Sequence, residues 1–200
     1  MEQGIDLLLQ KEEKFQFIHK MYGRPPIVTR SVGFETLCLL ILEQQVSIDS
    51  AKATFLKLKN SIPNFTPESV LEFSAEEFRA CGVSRQKTVY LKALSHAIVE
   101  KHLDIESLAK KDAQTVREEL IKIKGIGHWT IDVYLMFCLQ SPDIIPLGDI
   151  AVVNTIKELF DIHDKEKMAD YAEKWKPHRS VATFFLWHYY LQKRGRKNPY

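Results

Sequence analysis

The run from Trp129 to Leu139, WTIDVYLMFCL, constrains this chain more than any other stretch. It carries one charged group, Asp132, and no alternation of apolar with polar residues. It therefore predicts a helix that is hydrophobic on most faces and buried, with Asp132 obliged to find water or a partner. The residues just before it, Ile121 to His128, read IKIKGIGH, a turn with two lysines and two glycines. Glycine lets the backbone take positive φ and approach another molecule closely. The N–H groups that open a helix have no acceptor within it, and the helix dipole behind them favours an anion. A buried helix opening at Gly127 and His128, beside Lys122 and Lys124, is a candidate clamp for a phosphate. A ligand-free connection between helices is the alternative that two glycines alone support. A proline-marked loop follows, Ser141 to Pro146, and then a lone carboxylate, Asp149, heads the apolar stripe Val152, Val153, Ile156, Leu159 and Phe160.

The helical period governs the rest of the chain. Ile5 to Met21 predicts one amphipathic helix, ended by Gly23-Arg-Pro-Pro26. Phe34 to Leu42 is a dense apolar run ending at Glu43-Gln44-Gln45. Ser47 can cap Ile48 to Lys59, and Pro63 with Pro67 marks a loop. Ser74-Ala-Glu-Glu77 matches a capping box, and Ser84 opens a helix carrying Tyr90, Leu91, Leu94, Ala97 and Ile98 at helical spacing. Asp104 and Asp112 are further caps, Asp164 starts a polar helix reaching Trp175, and Arg179 to Gln192 closes the pattern with Phe184, Phe185, Leu186, Trp187, Tyr189 and Tyr190. Strand and hairpin signals are missing, so the chain is expected to be all-α, with about ten helices.

Composition narrows the function classes. No apolar run is long enough for a membrane span, and Met1 is followed by Glu2, Gln3 and Asp6, which is not a signal peptide. Three cysteines, Cys38, Cys81 and Cys138, stand far apart with no metal-ligand spacing, so a reducing compartment, cytoplasmic or nuclear, is expected. The net charge of +2 does not by itself imply nucleic acid; the basic tail Lys193, Arg194, Arg196 and Lys197 reads first as a solvated end. No phosphate-binding P-loop, dinucleotide fingerprint or nucleophile elbow occurs. Chemistry is left to carboxylates, aromatics and the anion clamp. Residue chemistry alone does not rank Asp132, Asp143 and Asp149, and an N-cap is the plain reading of Asp149.

Several motifs in one order carry a resemblance: Ile41-Leu-Glu-Gln-Gln-Val-Ser47, Gly82-Val-Ser-Arg-Gln-Lys87, Lys124-Gly-Ile-Gly-His-Trp-Thr130, Pro146-Leu-Gly-Asp149 and Trp175-Lys-Pro-His-Arg-Ser180. From about Phe34 to Gln192 the chain resembles the helix-hairpin-helix base-excision DNA glycosylases, in the 3-methyladenine DNA glycosylase II branch. The resemblance implies two helical lobes with the active-site cleft between them, one from residues 30 to 120 and the other from 1 to 30 plus 121 to 200, without the N-terminal β domain of larger relatives. It implies a monomer acting on double-stranded DNA that holds a damaged base.

The resemblance also assigns roles. Asp149 falls on the catalytic carboxylate. Trp129, Trp187 and Tyr134 fall on the base pocket, where a tryptophan face would attract a cationic purine by about 0.5–2 kcal/mol. Gln45, and less well Gln44, falls on the wedge that fills the gap left by a flipped base. Lys124, Gly125, Ile126, Gly127, His128 and Lys87 fall on the phosphate contacts. A structural sodium or potassium ion on the carbonyls of Ile121, Ile123 and Ile126 is the one cofactor implied, and the four-cysteine iron–sulfur cluster of some members is not expected. Trp129 stands where bifunctional members carry a lysine, so hydrolysis without a lyase step is implied, on 3-methyladenine and also 7-methylguanine. Deaminated or oxidised bases, a non-catalytic DNA-binding module, and a helical interaction protein are the competing readings.

Overall fold

A computed structural model describes residues 1–196; Lys197 of the basic tail lies outside them. Among the described residues there is no strand. The helices in chain order are α1 (Glu2–Lys11), α2 (Glu13–Tyr22), α3 (Phe34–Glu43), α4 (Ile48–Ser61), α5 (Pro67–Glu72), α6 (Ala75–Ala80), α7 (Arg85–Val99), α8 (Ile105–Leu108), α9 (Ala113–Leu120), α10 (His128–Phe137), α11 (Ile150–Phe160), α12 (Lys165–Ala172) and α13 (Arg179–Lys193). A 3-10 turn, Glu173–Trp175, joins the last two.

The all-α expectation holds, and so do the caps. Ser47, Ser84, Asp104, Asp112 and Asp164 each accept a first-turn N–H of the helix they precede, and Ser74 with Glu77 forms the reciprocal capping box. Two expectations fail for identifiable reasons. The first amphipathic run is two helices, because Glu12 is extended (φ −130°, ψ 107°) and puts its carboxylate to work. That group accepts from Lys14 N (3.3 Å), Tyr171 Oη (3.1 Å) and Trp175 Nε1 (3.3 Å), which is how a 9 % exposed glutamate is tolerated inside. Pro67, read as loop, is the first residue of α5, with Thr66 Oγ1 accepting from Ser69 N; a proline at that position forfeits no helical hydrogen bond.

The chain forms two compact units. One comprises Met1–Thr29 and, among the described residues, 135–196. Its centre is α13, buried continuously from Ser180 to Tyr189 and packed by α1, α2 and α11. Phe15 stacks on Phe185 (4.8 Å between centroids, 14°) and meets Trp175 at 5.2 Å. Truncating a ring as enclosed as Phe15 to Ala costs about 3–5 kcal/mol.

The other unit is Arg30–Tyr134, in which α3 packs on α4 and α7, and α5 and α6 on α7. The division falls inside α10, not near residue 120. The hairpin turn stays with the second unit because its own side chains are buried there: Ile123 and Ile126 point inward, and Asp132 is hydrogen-bonded to Arg117 of α9. Burial pushes the Asp132 carboxyl up, and the charges of Arg117 and His128 offset only part of that.

Candidate functional site

Asp149 is placed by the loop before it. At the end of α10, Gln140 takes a left-handed conformation (φ 51°), and its amide caps the carbonyls of Met136 (3.0 Å) and Phe137 (2.9 Å). The loop is then sewn to the start of α13. Ser180 Oγ donates to Ser141 O (2.6 Å) and accepts from Ile144 N (3.0 Å). Arg179 makes a two-pronged bond to Asp143 (2.8 Å each) and reaches Glu173 (3.0 Å). Burial pushes the Asp143 carboxyl up, but the Arg179 hydrogen bonds and charge outweigh it and hold the group below its ordinary value.

The carboxylate of Asp149 therefore arrives in a fixed place. Its Oδ1 accepts from Ala151 N (2.9 Å) and Val152 N (3.0 Å), the first-turn amides of α11, and from Trp187 Nε1 (3.1 Å) on α13. All three are N–H donors, which suits a negative oxygen. Asp149 is half-buried, with exposed Gly148 and Ile150 (72 %) on either side. Trp187 is 8 % exposed, its ring edge-on to Phe137 (5.6 Å) and Phe184 (5.9 Å). Sequence reasoning gave this indole to the base pocket and missed that it grips the carboxylate. The only sequence signal for that role is an indole N–H on a buried helix, which needs an acceptor.

In the other unit, Trp129 is half-exposed in the first turn of α10, whereas Tyr134 is fully enclosed at 0 % exposure and offers no open face to a base. The hairpin turn is tight. Gly125 sits at φ 94°, and a Cβ there would lie 2.1 Å from the Tyr90 ring, so glycine is obligatory. A Cβ on Gly127 would meet nothing within 4 Å, and the backbone there is not left-handed, so nothing within the chain demands glycine. Close approach by another molecule would. Gly127, His128, Lys122 and Lys124 are exposed. The Ile126 N–H, expected on phosphate, instead donates to Ile123 O (3.0 Å) to close the turn.

Two further candidate site residues of this unit have defined surroundings. Lys87 Nζ donates to Leu42 O (2.6 Å) at the end of α3, and burial pushes its ammonium down; it serves as a helix C-cap before it can serve as a phosphate contact. The two glutamines separate cleanly. Gln44 Nε2 donates to Gly125 O (2.8 Å) and Thr130 Oγ1 (3.0 Å), while Gln45 is exposed at φ 59°. Gln45, and not Gln44, is the side chain offered outward. It borders a pocket of about 340 Å³ that Lys87, Tyr90 and Gly82 also line.

Among the described residues no group of three or more His, Cys, Asp or Glu side chains could hold a metal ion. The hairpin carbonyls of Ile121, Ile123 and Ile126 are neutral oxygens on one tight turn, a donor set that fits a hard monovalent cation. No described helix is long and apolar enough to cross a membrane.

Residues 38–178 match the model of the HhH-GPD superfamily of base excision DNA repair proteins. The chain belongs to that superfamily. A putative DNA-3-methyladenine glycosylase of Bacillus subtilis is 30 % identical over 82 % of this chain and 61 % of its own length. An Endonuclease III of Sulfolobus acidocaldarius is 30 % identical over 84 % of this chain and 74 % of its own. Among solved structures, a Schizosaccharomyces pombe 3-methyladenine DNA glycosylase in complex with abasic DNA has a TM-score of 0.83 at 27 % identity, covering 92 % of this chain and 95 % of that one. This HhH-GPD chain thus spans about three fifths of the Bacillus subtilis relative and nearly all of the solved Schizosaccharomyces pombe chain.

Proposed function

We propose that the chain is a monofunctional DNA glycosylase that hydrolyses the N-glycosidic bond of alkylated purines in duplex DNA, 3-methyladenine first and 7-methylguanine second. The observation that carries this is the Asp149 carboxylate, held by two helix amides and the Trp187 indole in the superfamily's motif order. The names of the similar glycosylases support the substrate class.

The chemistry follows from charge. The C1′–N bond breaks with its electron pair going to the base nitrogen, which neutralises an alkylated, cationic purine as it leaves. Positive charge develops on the deoxyribose, as in glycoside hydrolysis, and Asp149 stabilises it electrostatically. Water then bonds to C1′, and the proton it loses passes to solvent water. Because the leaving purine is already cationic, no strong general acid is needed. The donors on Oδ1 hold the carboxylate still, so little reorganisation is required as charge develops.

The remaining residues handle the DNA. A base within a duplex must be flipped out at a cost of a few kcal/mol. Trp129, half-exposed, is assigned to the face of the cationic base; Trp187 holds the Asp149 carboxylate. Gln45 fills the emptied stack. The amides of Gly125, Gly127 and His128, with Lys124, hold the phosphate. A sodium or potassium ion on the Ile121, Ile123 and Ile126 carbonyls would add positive charge beside that phosphate. The protein would act as a monomer, in the cytoplasm or nucleus where DNA lies.

A second reading keeps the fold and mechanism but takes deaminated or oxidised bases; the similarity to an Endonuclease III favours keeping it. One experiment separates the two: incubate duplexes carrying 3-methyladenine, 7-methylguanine, hypoxanthine or an oxidised pyrimidine with the protein and measure free base. Release confined to the methylated purines, with no borohydride-trapped adduct, is expected. Release of the oxidised base, or a trapped adduct, contradicts the proposal, and DNA binding without any release points to a non-catalytic module.

A further inference from the structure

The end of α3 is anchored at three consecutive residues by three different parts of the same unit. The Leu42 carbonyl accepts from Lys87 of α7 (2.6 Å). The Glu43 carboxylate, 5 % exposed, receives both prongs of Arg30 (2.7 and 3.0 Å). The Gln44 amide donates to Gly125 O (2.8 Å) and Thr130 Oγ1 (3.0 Å), residues 81 and 86 positions further along the chain. Immediately afterwards Gln45 turns left-handed, φ 59°, a conformation that a residue with a side chain adopts at a cost of about 1–2 kcal/mol. It persists where the surroundings over-determine it.

The Gln44 bonds differ from the other two anchors in where they lead. Gly125 O belongs to the turn proposed to hold phosphate, and Thr130 lies in the first turn of α10, the helix whose amides face that phosphate. The turn is closed on itself: Ile126 N is bonded to Ile123 O, and Gly125 is seated against the Tyr90 ring. Tyr90 and Gln45 line the same pocket.

We propose that Gln44 is a positioning residue that latches the turn carrying Gln45 onto the hairpin, so that the side chain filling the emptied stack is set at a fixed distance from the amides gripping the phosphate. This deepens the DNA glycosylase reading and rests on it. Phosphate and base step are joined through the nucleic acid backbone, so a wedge rigidly tied to the phosphate clamp enters the helix at one step relative to the bound phosphate. Without the latch, Gln45 would still be present and exposed, but its depth and angle of entry would vary.

The test uses binding, which does not require turnover. The measured quantity is the affinity for a duplex bearing a tetrahydrofuran abasic analogue divided by that for the same duplex undamaged. Wild type, Gln44→Met, Gln45→Ala and the double variant are compared, with thermal unfolding as the control for folding; Gln44→Glu, of the same size but with an acceptor facing the Gly125 carbonyl, is the second variant. Loss of two hydrogen bonds predicts that Gln44→Met lowers the ratio roughly tenfold. If the latch acts through Gln45, the double variant falls no further than Gln45→Ala alone. Additive losses, or an unchanged ratio in folded Gln44→Met and Gln44→Glu, overturn the latch while leaving the glycosylase reading standing. A wild-type ratio near one overturns both.

Discussion

The helices α11 and α12 begin in the same way and end up in different company. Asp149 accepts from Ala151 N and Val152 N at 2.9 and 3.0 Å; Asp164 accepts from Glu166 N and Lys167 N at 3.0 Å each. As caps the two aspartates are equivalent, and each should stabilise its helix by about 1 kcal/mol. What distinguishes Asp149 is the third donor, an indole from a helix 38 residues away, and a preceding loop stitched to α13 by Ser180 and Arg179. Asp164 is exposed and follows a loop with no such stitching among the described residues. A capping carboxylate becomes a candidate catalyst when tertiary structure fixes what its helix alone would leave mobile.

The contrast can be broken most sharply at the two caps. Asp149→Asn keeps the cap, since asparagine caps as well as aspartate, but removes the charge. Base release in single turnover should fall by about 10²–10³, the loss typical of removing one preorganised electrostatic contact. Asp164→Asn should leave release unchanged, and equal losses at both positions would erase the distinction. A smaller effect is expected from Trp187→Phe, which keeps an aromatic ring and deletes the N–H. Release should fall about tenfold and Tm by about 2–4 °C, corresponding to roughly 1 kcal/mol.

The stitching has a pH signature. Folding holds the Asp143 carboxyl below the ordinary aspartate value of 3.8. It therefore stabilises the fold above that pH, and the contribution is lost as pH falls through the lower folded value. Urea midpoints measured from pH 6 down to pH 2 should decline less steeply for Asp143→Asn than for wild type; parallel curves would mean that Arg179 does not hold this group. The smallest effect belongs to Asp164→Ala, about 1 kcal/mol of stability with base release untouched.

The same contrast explains what the sequence made legible. Asp149 was readable as a cap and Asp164 as a helix start, because both are local patterns of one short polar residue before a helical run. The obligatory Gly125 was readable in kind, though only the Tyr90 ring at 2.1 Å shows why. Trp187 was placed near the site by motif order, but its bond to Asp149 was not legible, since no local pattern says where an indole N–H will point. Gln44 and Gln45 are chemically identical neighbours. Only a hairpin some 80 residues downstream separates them, one bonded inward and the other left outside. The break at Glu12 was hidden for the same reason: its partners Tyr171 and Trp175 lie about 160 residues later. Ile126 shows the converse: the resemblance assigned it to phosphate, and only the structure shows that its amide closes the turn.

The central claim is that a carboxylate held by three N–H donors stabilises a deoxyribose turning cationic. The most direct measurement is the single-turnover rate of free 3-methyladenine release from duplex DNA by wild type, Trp187→Phe and Asp149→Asn, all verified as folded. The rates should descend in that order. Release by Asp149→Asn at the wild-type rate would mean that Asp149 is a helix cap and nothing more.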